Sequence, residues 1–421
     1  MQATREEFHA FGEKHITKGV GRITKGIITK GEGSYVTYDD DRKLLDFTSG
    51  IGVTSLGHVH PKVSKAAADQ CMQIVHAQCS IAMNEPYVRL IERLLTVMPH
   101  PTLDSFFFWN SGSEAVEAAI KMARWFTGRQ NIICMQGAYH GRTFGAMAPG
   151  VFSIPYPYWR QFNLPTDTPG DVLAQEALYQ LDLVLAQQTA PSDTAAIIVE
   201  PVLGEGGYVA AHPKFLQGLR KVCDKHGIML IIDEVQCGYG RTGDWFAIQE
   251  SGVAPDILVI AKGLGNGFPI SGVVSRKELT DKLDPGSMGG TYAGNAVACA
   301  AAVAVNDAIK EENVLENVNR RSEQLFTALN ALKADPDVKN CILDVRGRGL
   351  MVGVEFGKGD GYPANLSSLV AKKCIEKGLL ILTTSIYEVV RFIPPLNISE
   401  EDMKKGIDIF VESVKEVAKS S

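Results

Sequence analysis

The sequence predicts an α/β fold in which helices cover both faces of a mostly parallel sheet. Two observations carry this prediction. Short β-branched apolar runs alternate with helical patterns through the middle of the chain, which is typical of strands joined by helical crossovers. Those runs are apolar at nearly every position rather than at every second one, which indicates strands that are buried on both faces.

Five apolar runs are predicted to form the sheet, and a helix follows the first of them directly. In that helix, apolar residues recur at three- and four-residue spacing, at Val116, Ala119, Ile120 and Ala123. A second helical pattern covers residues 213–227, between two later runs. The predicted strands are residues 105–110, 131–136, 195–202, 228–235 and 257–261.

The texture of the chain changes after the sheet region. From about Asn313 the sequence turns to long amphipathic helices, with two short strand candidates around 350–356 and 389–395 and a last helix that opens after Ser399. We therefore place a domain change near residue 311, between a large domain over residues 57–311 and a small C-terminal domain over 312–421.

Composition limits the function classes. The chain has 421 residues, 45% of them hydrophobic, and a net charge of -6 with acids and bases interspersed, so no nucleic-acid partner is expected. Its eight cysteines are scattered without a CxxC pair, and no apolar run is long enough for a membrane span. His58 and His60 stand beside a proline and are interpreted as loop residues, so no metal site is predicted. We expect a soluble protein of the cytoplasm, with the mitochondrial matrix as the alternative.

One lysine stands out. The predicted strand over 257–261 leads directly into Lys262, and a loop containing Gly263, Gly265 and Gly267 follows. A lysine in apolar surroundings loses its proton more easily and becomes a nucleophile. A strand-end lysine that extends to water is the commoner arrangement. Lys262 by itself is therefore compatible with both a buried nucleophile and a solvent-exposed lysine, and the neighbouring motifs distinguish the two.

Asp233 closes a wholly apolar strand about one strand–helix–strand unit before Lys262. Because the carboxyl ends of parallel strands share one edge, both residues are expected to face the same crevice. An aspartate there can hold a protonated ring nitrogen, and a lysine can form an imine with an aldehyde. Pyridoxal phosphate requires these two groups. Alone, Asp233 is equally well explained as a carboxylate that caps a loop.

A helix start before these strands suits a phosphate. Ser111 and Glu114 fit a capping box, and Gly112 allows close approach of the backbone. The free N–H groups of the first turn, with the Ser113 hydroxyl, could bind an anion. A plain helix cap explains this motif by itself. The combination of the phosphate turn with the strand-end aspartate and lysine is what predicts a pyridoxal phosphate site.

At this point the sequence resembles a known family. The motifs "GSEAVEAAIKMAR", "GAYHGRT", "EPVLGEGG", "DEVQCGYGRTG", "AKGLGNGFPISG" and "GGTYAGN" occur in the order typical of class III pyridoxal-phosphate aminotransferases, and most resemble 4-aminobutyrate aminotransferases. The resemblance extends from "LDFTSGIGV" to "VRFIPPL". It implies a fold-type I architecture, with a large domain around a mainly parallel sheet and a small α+β domain from both chain ends, including residues 1–56. It also implies a homodimer or larger assembly with active sites at the subunit interface.

The resemblance implies roles for the residues around the cofactor ring. Lys262 would hold the cofactor covalently and then move the proton between substrate and cofactor. Asp233 would pair with the pyridine nitrogen, and Gln236 would contact the ring hydroxyl. Tyr139 would stack on the ring, unless it is an ordinary core aromatic.

The resemblance also implies which residues bind the phosphate of the cofactor. Gly112 and Ser113 would bind the phosphate, together with Thr291 from the neighbouring subunit.

Four further residues resemble the substrate site of the family. Arg142 would bind the distal carboxylate of the substrate, and Arg391 would bind the α-carboxylate of glutamate. Glu205 resembles the gate that pairs with Arg391 when the donor carries no α-carboxylate, since an unpaired buried guanidinium is costly. Ile51 would lie near the methylene chain of the substrate.

Three functions are carried forward. The favoured one is transfer of the amino group of an ω-amino acid such as 4-aminobutyrate to 2-oxoglutarate, giving the semialdehyde and glutamate. The alternative keeps the cofactor but changes the donor to ornithine, lysine, a diamine or another amine. The segments "TTSIYEVV" and "VFSIPYPYWRQFNLP" depart from the family pattern, which leaves the donor open. The third function is a catalytically silent binding or structural homologue.

Overall fold

The structure is a computed structural model that describes residues 4–148, 152–338, 341–357, 365–384 and 386–419. Its strands are β1 Ile28–Glu32, β2 Tyr35–Tyr38, β3 Lys43–Asp46, β4 Ser105–Trp109, β5 Asn131–Met135, β6 Phe152–Ile154, β7 Thr194–Val199, β8 Val202–Leu203, β9 Val209–Ala210, β10 Met229–Asp233, β11 Ile257–Ile260, β12 Ser271–Ser275, β13 Ile342–Arg348, β14 Met351–Phe356, β15 Leu379–Leu380, β16 Leu382–Thr383 and β17 Val389–Phe392.

The α-helices in the same residues range from one turn to about five turns. They are α1 Arg5–His15, α2 Ser49–Gly52, α3 Pro61–Cys71, α4 Glu85–Leu95, α5 Gly112–Thr127, α6 Phe144–Met147, α7 Gly170–Gln187, α8 Pro213–His226, α9 Lys277–Thr280, α10 Ala296–Glu311, α11 Val314–Lys333, α12 Leu366–Glu376 and α13 Glu400–Lys419. Among them no helix is long and apolar enough to cross a membrane.

A seven-stranded sheet forms the centre of the molecule, in the order β4-β12-β11-β10-β7-β5-β6. All five predicted strands belong to it, and the pairs among β5, β6, β7, β10 and β11 are parallel. Only β12 runs against its neighbours, pairing antiparallel with β11 and β4. The mostly parallel sheet predicted from the sequence is confirmed.

Both faces of this sheet are buried, because alternate residues of each strand enter different hydrophobic clusters. Ile231 and Val259 pack in the cluster that contains the apolar face of α5. Ile232 and Leu258 point to the opposite side and pack in a cluster that includes Phe215 of α8. The near-continuous apolar runs of the sequence follow from this burial on two sides.

The connection between β10 and β11 differs from the predicted strand–helix–strand unit. It contains a short 3-10 helix, Ala247–Ser251, and no α-helix. The carboxylate of buried Glu234 accepts hydrogen bonds from the backbone N–H groups of Ala247 and Ile248 at 3.1 and 2.8 Å, at the start of this 3-10 helix. The loop is therefore fixed to the end of β10 by a side chain.

Two smaller four-stranded sheets surround the central one. The first has the order β1-β2-β3-β15, so strands from both ends of the chain meet in it, with Leu379 opposite Leu45 in a parallel pair. The second has the order β13-β14-β17-β16 and belongs to the C-terminal part. The boundaries predicted near residues 56 and 311 stay a prediction; α10 ends at Glu311 and α11 begins at Val314.

Candidate active site

The cavity that contains the predicted lysine lies at the carboxyl edge of the central sheet. Asp233 is the last residue of β10, where it pairs with Val259 of the parallel strand β11, and Lys262 follows β11 closely. Both residues line one cavity of about 270 Å³. The shared edge of two parallel strands thus brings the carboxylate and the amine into the same crevice, as the sequence predicted.

Lys262 is held in an unusual environment. Its backbone has a φ of 45°, a left-handed conformation that costs free energy in a residue other than glycine and is typical of functional sites. Burial of the side chain lowers the pKa of Lys262 to about 8, although the carboxylates of Glu205, Glu200 and Asp233 act in the opposite direction. An amine with this pKa is partly neutral near pH 7 and can act as a nucleophile or base.

Asp233 is held by two hydrogen bonds on its two oxygens. Oδ1 accepts from the backbone N–H of Val235 at 3.0 Å, and Oδ2 lies 2.7 Å from Nδ1 of buried His140. Burial opposes a charge on His140, but the hydrogen bond to Asp233 and the charge of that carboxylate outweigh it and raise the pKa of His140. The carboxylate therefore keeps a fixed orientation toward the cavity.

The first turn of α5 forms another wall of the cavity. Ser111 caps the helix by accepting a hydrogen bond from the N–H of Glu114, and the Glu114 carboxylate accepts from the Ser111 N–H at 2.8 Å, so the predicted capping box is confirmed. A Cβ at Gly112 would lie 3.0 Å from the Val235 side chain, which leaves little room for any other residue. Gly112 and Ser113 line the cavity, and the first backbone N–H groups of a helix have no acceptor within the helix, so this wall has donors that can hold an anion.

Glu205 and Arg391 form an ion pair next to this cavity. Glu205 lines the cavity, and its Oε1 accepts a hydrogen bond from Nη1 of Arg391 at 2.7 Å. Nη2 of Arg391 donates to the carbonyl oxygen of Thr383 at 3.0 Å, and its guanidinium lies 5.6 Å from the centre of the Tyr208 ring. Burial opposes the charge on Arg391, but Tyr208 and Glu205 outweigh that effect and raise the pKa of Arg391.

Comparison with known proteins identifies the family of this chain. The family model described as Aminotransferase class-III matches residues 17–414. The chain belongs to the class III aminotransferases. The 5-aminovalerate aminotransferase of Pseudomonas aeruginosa is 39% identical over 99% of this chain and 100% of the relative, and the 4-aminobutyrate aminotransferase of Escherichia coli is 38% identical over 95% of this chain and 96% of the relative.

A solved structure leads to the same family. The taurine:2-oxoglutarate aminotransferase from Bifidobacterium kashiwanohense, in complex with PLP and glutamate, has a TM-score of 0.91 and 26% identity, covering 100% of this chain and 99% of that one. Relatives named for acetylornithine and 2-aminoadipate are similar to the chain as well, so the similarity identifies the class of reaction rather than the amino donor. The predicted family and fold-type I architecture are confirmed.

Pyridoxal phosphate is the cofactor of this aminotransferase, and the cavity fits it. A buried carboxylate, a lysine of lowered pKa and a helix N-terminus surround one space, which matches the ring nitrogen, aldehyde and phosphate of the cofactor. Among the described residues, the buried Oε1 of Gln236 has no hydrogen-bond partner, and Gln236 lines the same cavity. That atom is available to accept a hydrogen bond from a hydroxyl group.

The remaining predicted residues lie at the rim or outside it. Tyr139 lines the cavity, and its hydroxyl accepts a hydrogen bond from Nε of exposed Arg142 at 2.9 Å. Ile51 does not line the cavity; it has a φ of 66° and is 44% exposed, while Val53 reaches the cavity instead. Thr291 is also exposed and away from the cavity of its own chain.

The two histidines interpreted as loop residues are each paired with one carboxylate. Nε2 of His58 lies 2.8 Å from Asp46, and Nε2 of His60 lies about 3.2 Å from Glu312. In the part of the chain that the structure describes, no group of three or more potential metal ligands is present.

Sequence reasoning missed two buried residues of the site. His140 orients Asp233, and it stands in "GAYHGRT" between residues that were singled out. Glu200 follows β7, a strand buried at every position, so it carries the same strand-end signal as Asp233. Its Oε1 accepts from the Tyr139 N–H at 2.9 Å and its Oε2 from the Gly204 N–H at 3.0 Å, and burial raises the pKa of Glu200 to about 7.

Proposed function

We propose that this aminotransferase moves the amino group of an ω-amino acid, with 4-aminobutyrate as the first candidate, to 2-oxoglutarate. The products are the corresponding semialdehyde and glutamate. The observation that carries the proposal is the ion pair between Glu205 and Arg391 beside the lysine cavity. Two relatives that align with nearly the whole sequence are named for 4-aminobutyrate and 5-aminovalerate. The carbon chains of these two amino acids differ by one methylene group.

The ion pair has a physical reason in a two-substrate reaction. Arg391 is only 4% exposed, and a buried guanidinium without a partner costs several kcal/mol. An ω-amino acid brings no carboxylate next to its reacting carbon, so Glu205 stays paired with Arg391 while that donor reacts. Glutamate and 2-oxoglutarate bring an α-carboxylate, which replaces Glu205 with a bidentate contact. One arginine then serves both half-reactions.

Lys262, Asp233 and Gln236 form the part of the cavity that we call the floor, and their side chains supply the groups for the chemistry. Bound pyridoxal phosphate provides an electron-withdrawing ring that makes the proton on the amine-bearing carbon of the substrate acidic. Lys262 would hold the cofactor and then, as a free amine of lowered pKa, would move that proton between the substrate carbon and C4′ of the cofactor. Asp233, oriented by His140, would keep the ring nitrogen protonated, and Gln236 would accept a hydrogen bond from the ring hydroxyl.

The substrate end and the assembly complete the proposal. Arg142 binds the distal carboxylate of the substrate at the mouth of the cavity, and Ile51 contacts its methylene chain. Gly112 and Ser113 bind the phosphate at the start of α5. The protein acts as a homodimer or larger assembly, in which Thr291 of one subunit reaches the phosphate bound by its neighbour.

A panel of amino donors tests the proposal. The purified holoenzyme is assayed with 2-oxoglutarate and 4-aminobutyrate, 5-aminovalerate, ornithine, lysine or 1,4-diaminobutane, and the formation of glutamate is measured. We expect the largest kcat/KM for 4-aminobutyrate or its homologue with one more methylene. A larger kcat/KM for ornithine, lysine or the diamine would make that amine the donor instead of 4-aminobutyrate. Such a donor is compatible with the same pairing of Glu205 and Arg391. No glutamate with any donor would mean a catalytically silent homologue.

A further inference from the structure

The hairpin that carries Glu205 rests on the C-terminal sheet through its backbone. Strands β8 and β9 form this hairpin, and Glu205 and Gly207 lie in its loop. Gly207 has a φ of 95°, a conformation that favours glycine. Its carbonyl oxygen accepts a hydrogen bond from Nε of Arg346 on β13 at 3.0 Å. The loop is thus fixed two residues beyond the gate carboxylate.

A second glycine makes this contact possible from the other side. Gly353 of β14 lies directly opposite Arg391 of β17 in an antiparallel pair, and such residues point to the same face of a sheet. A Cβ at Gly353 would lie only 2.7 Å from the carbonyl oxygen of Gly207. The backbone of the gate loop therefore occupies the space of the missing side chain, next to the guanidinium that Glu205 contacts.

Arg346 is itself held in place. Its Nη1 donates to the fully buried carboxylate of Glu355 and to Asp344 at 3.1 Å. The hydroxyl of Tyr158 donates to the same Glu355 carboxylate at 2.5 Å. Because these partners fix the guanidinium, its Nε–H defines where the Gly207 carbonyl can lie.

We propose that Gly353 and Arg346 are positioning residues that set the contact between Glu205 and Arg391, and with it the choice between ω-amino and α-amino substrates. This inference rests on the proposed function of the gate. Neither residue lines the cavity, so neither contacts the substrate there. The atom nearest to a Cβ at Gly353 is the Gly207 carbonyl oxygen, and the Val389 side chain follows at 3.2 Å. The gate contact is 2.7 Å long, and a shift of about 1 Å in the loop would lengthen it beyond a hydrogen bond.

The test is the variant Gly353→Ala. Its methyl group must push the Gly207 carbonyl away, which separates Glu205 from Arg391 and leaves Arg391 free for α-carboxylates. We expect the ratio of kcat/KM for 4-aminobutyrate to that for glutamate, each measured as a half-reaction of the holoenzyme, to fall about tenfold or more. Binding of glutarate, a dicarboxylate that does not react, should become tighter. Gly357→Ala is the matched control directly after the same strand, because the three atoms nearest to its Cβ all belong to the flexible Leu343 side chain.

A double-mutant cycle separates the mechanism from general damage. If Gly353 acts through Glu205, the ratio for Gly353→Ala combined with Glu205→Gln should equal that for Glu205→Gln alone. Arg346→Lys keeps a positive charge for Glu355 but loses the Nε–H, and we expect a smaller shift in the same direction. This variant decides the matter if Gly353→Ala does not fold.

The outcomes distinguish two failures. If Glu205→Gln itself leaves the substrate ratio unchanged, the gate and the proposed function fail, and this inference fails with them. If Glu205→Gln shifts the ratio while Gly353→Ala and Arg346→Lys slow both substrates equally, the gate stands and the positioning role is overturned.

Discussion

The cofactor floor and the substrate gate are built in different ways. In the floor, Asp233 ends β10 and Lys262 follows β11, and these two strands are hydrogen-bonded neighbours in the central sheet. In the gate, Glu205 and Arg391 are 186 positions apart in the chain and sit on a two-stranded hairpin and on a separate sheet. The floor is therefore fixed by one strand register, whereas the gate depends on how two sheets pack together.

This difference matches what each region has to do. Asp233 is held by a backbone N–H and by a buried histidine, partners that no substrate replaces. Arg391 is held by a glutamate that lines the cavity, a partner that an incoming carboxylate can replace. We therefore propose that the contacts of Asp233 persist through the reaction, whereas the contact of Glu205 with Arg391 is exchanged for a substrate carboxylate. Changes in the floor should slow all substrates alike, and changes in the gate should separate them.

The largest effect is expected from Lys262→Ala. Without the amine, the cofactor has no covalent attachment and the proton has no base, so turnover should fall about a thousandfold or more for every donor. Borohydride, which fixes a lysine–aldehyde adduct as a stable amine, should label the wild-type protein at residue 262 and leave the variant unlabelled. Lys277→Ala, on the surface, is the control. Labelling and turnover that persist in the Lys262 variant would refute the assignment.

Asp233→Asn tests the floor more gently. The variant should fold and bind the cofactor, but both half-reactions should slow by roughly a hundred- to a thousandfold, because a neutral amide cannot hold the ring nitrogen protonated. Glu234→Gln is a matched control, since Glu234 is the adjacent buried acid and bonds to the Ala247 and Ile248 backbone instead. Near-normal rates for Asp233→Asn, or equal losses in both variants, would remove the role of Asp233.

Glu205→Gln tests the gate. Removing the charge frees Arg391 for α-carboxylates, so we expect kcat/KM for glutamate to hold or rise while that for 4-aminobutyrate falls. The change in their ratio should approach about a hundredfold. Glu388→Gln is the control, because that carboxylate bonds to Ser367 in the C-terminal part. Equal slowing of both half-reactions would show that Glu205 has only a structural role.

The same comparison explains how much the sequence could predict. The floor follows from local signals, since buried strands read as apolar runs and their ends share an edge, which brought Asp233, Lys262 and Gly112 to one cavity. The gate has no local signal of this kind. Glu205 and Arg391 could be named only by resemblance to a family, because their contact depends on the packing of two sheets.

Other misses have physical reasons as well. Strand β12 is not among the five predicted strands, because its sequence SGVVS contains only two valines and no apolar run marks it, although every position is buried. Its antiparallel direction is not visible in its composition either. The connection from β10 to β11 is long enough for a helical crossover but contains only a 3-10 helix. There the Glu234 side chain accepts hydrogen bonds from the backbone N–H groups of Ala247 and Ile248.

The smallest expected effect concerns Glu200, which connects the two regions. Its carboxylate accepts hydrogen bonds from the backbone N–H of Tyr139, which lines the cavity, and from that of Gly204, which begins the loop of Glu205. Burial raises the pKa of Glu200 from an ordinary 4.5 to about 7. Between these pH values the folded protein keeps a proton that the unfolded chain has lost. The contribution of Glu200 to the free energy of unfolding therefore falls as pH rises from about 5 to 7, by on the order of 1–3 kcal/mol.

Glu200→Gln should remove this share of the pH dependence, because an amide does not titrate. Unfolding measured at pH 5.5 and 8.0 should show a smaller loss of stability in the variant than in the wild-type protein. Glu234→Gln should also flatten the profile, since burial raises the pKa of Glu234 to about 7, but Glu234 contacts neither Tyr139 nor the gate loop. Parallel profiles for wild type and Glu200→Gln would mean that Glu200 is ionised throughout. The floor and gate would then be joined by a permanent charge rather than by a group that titrates near neutral pH.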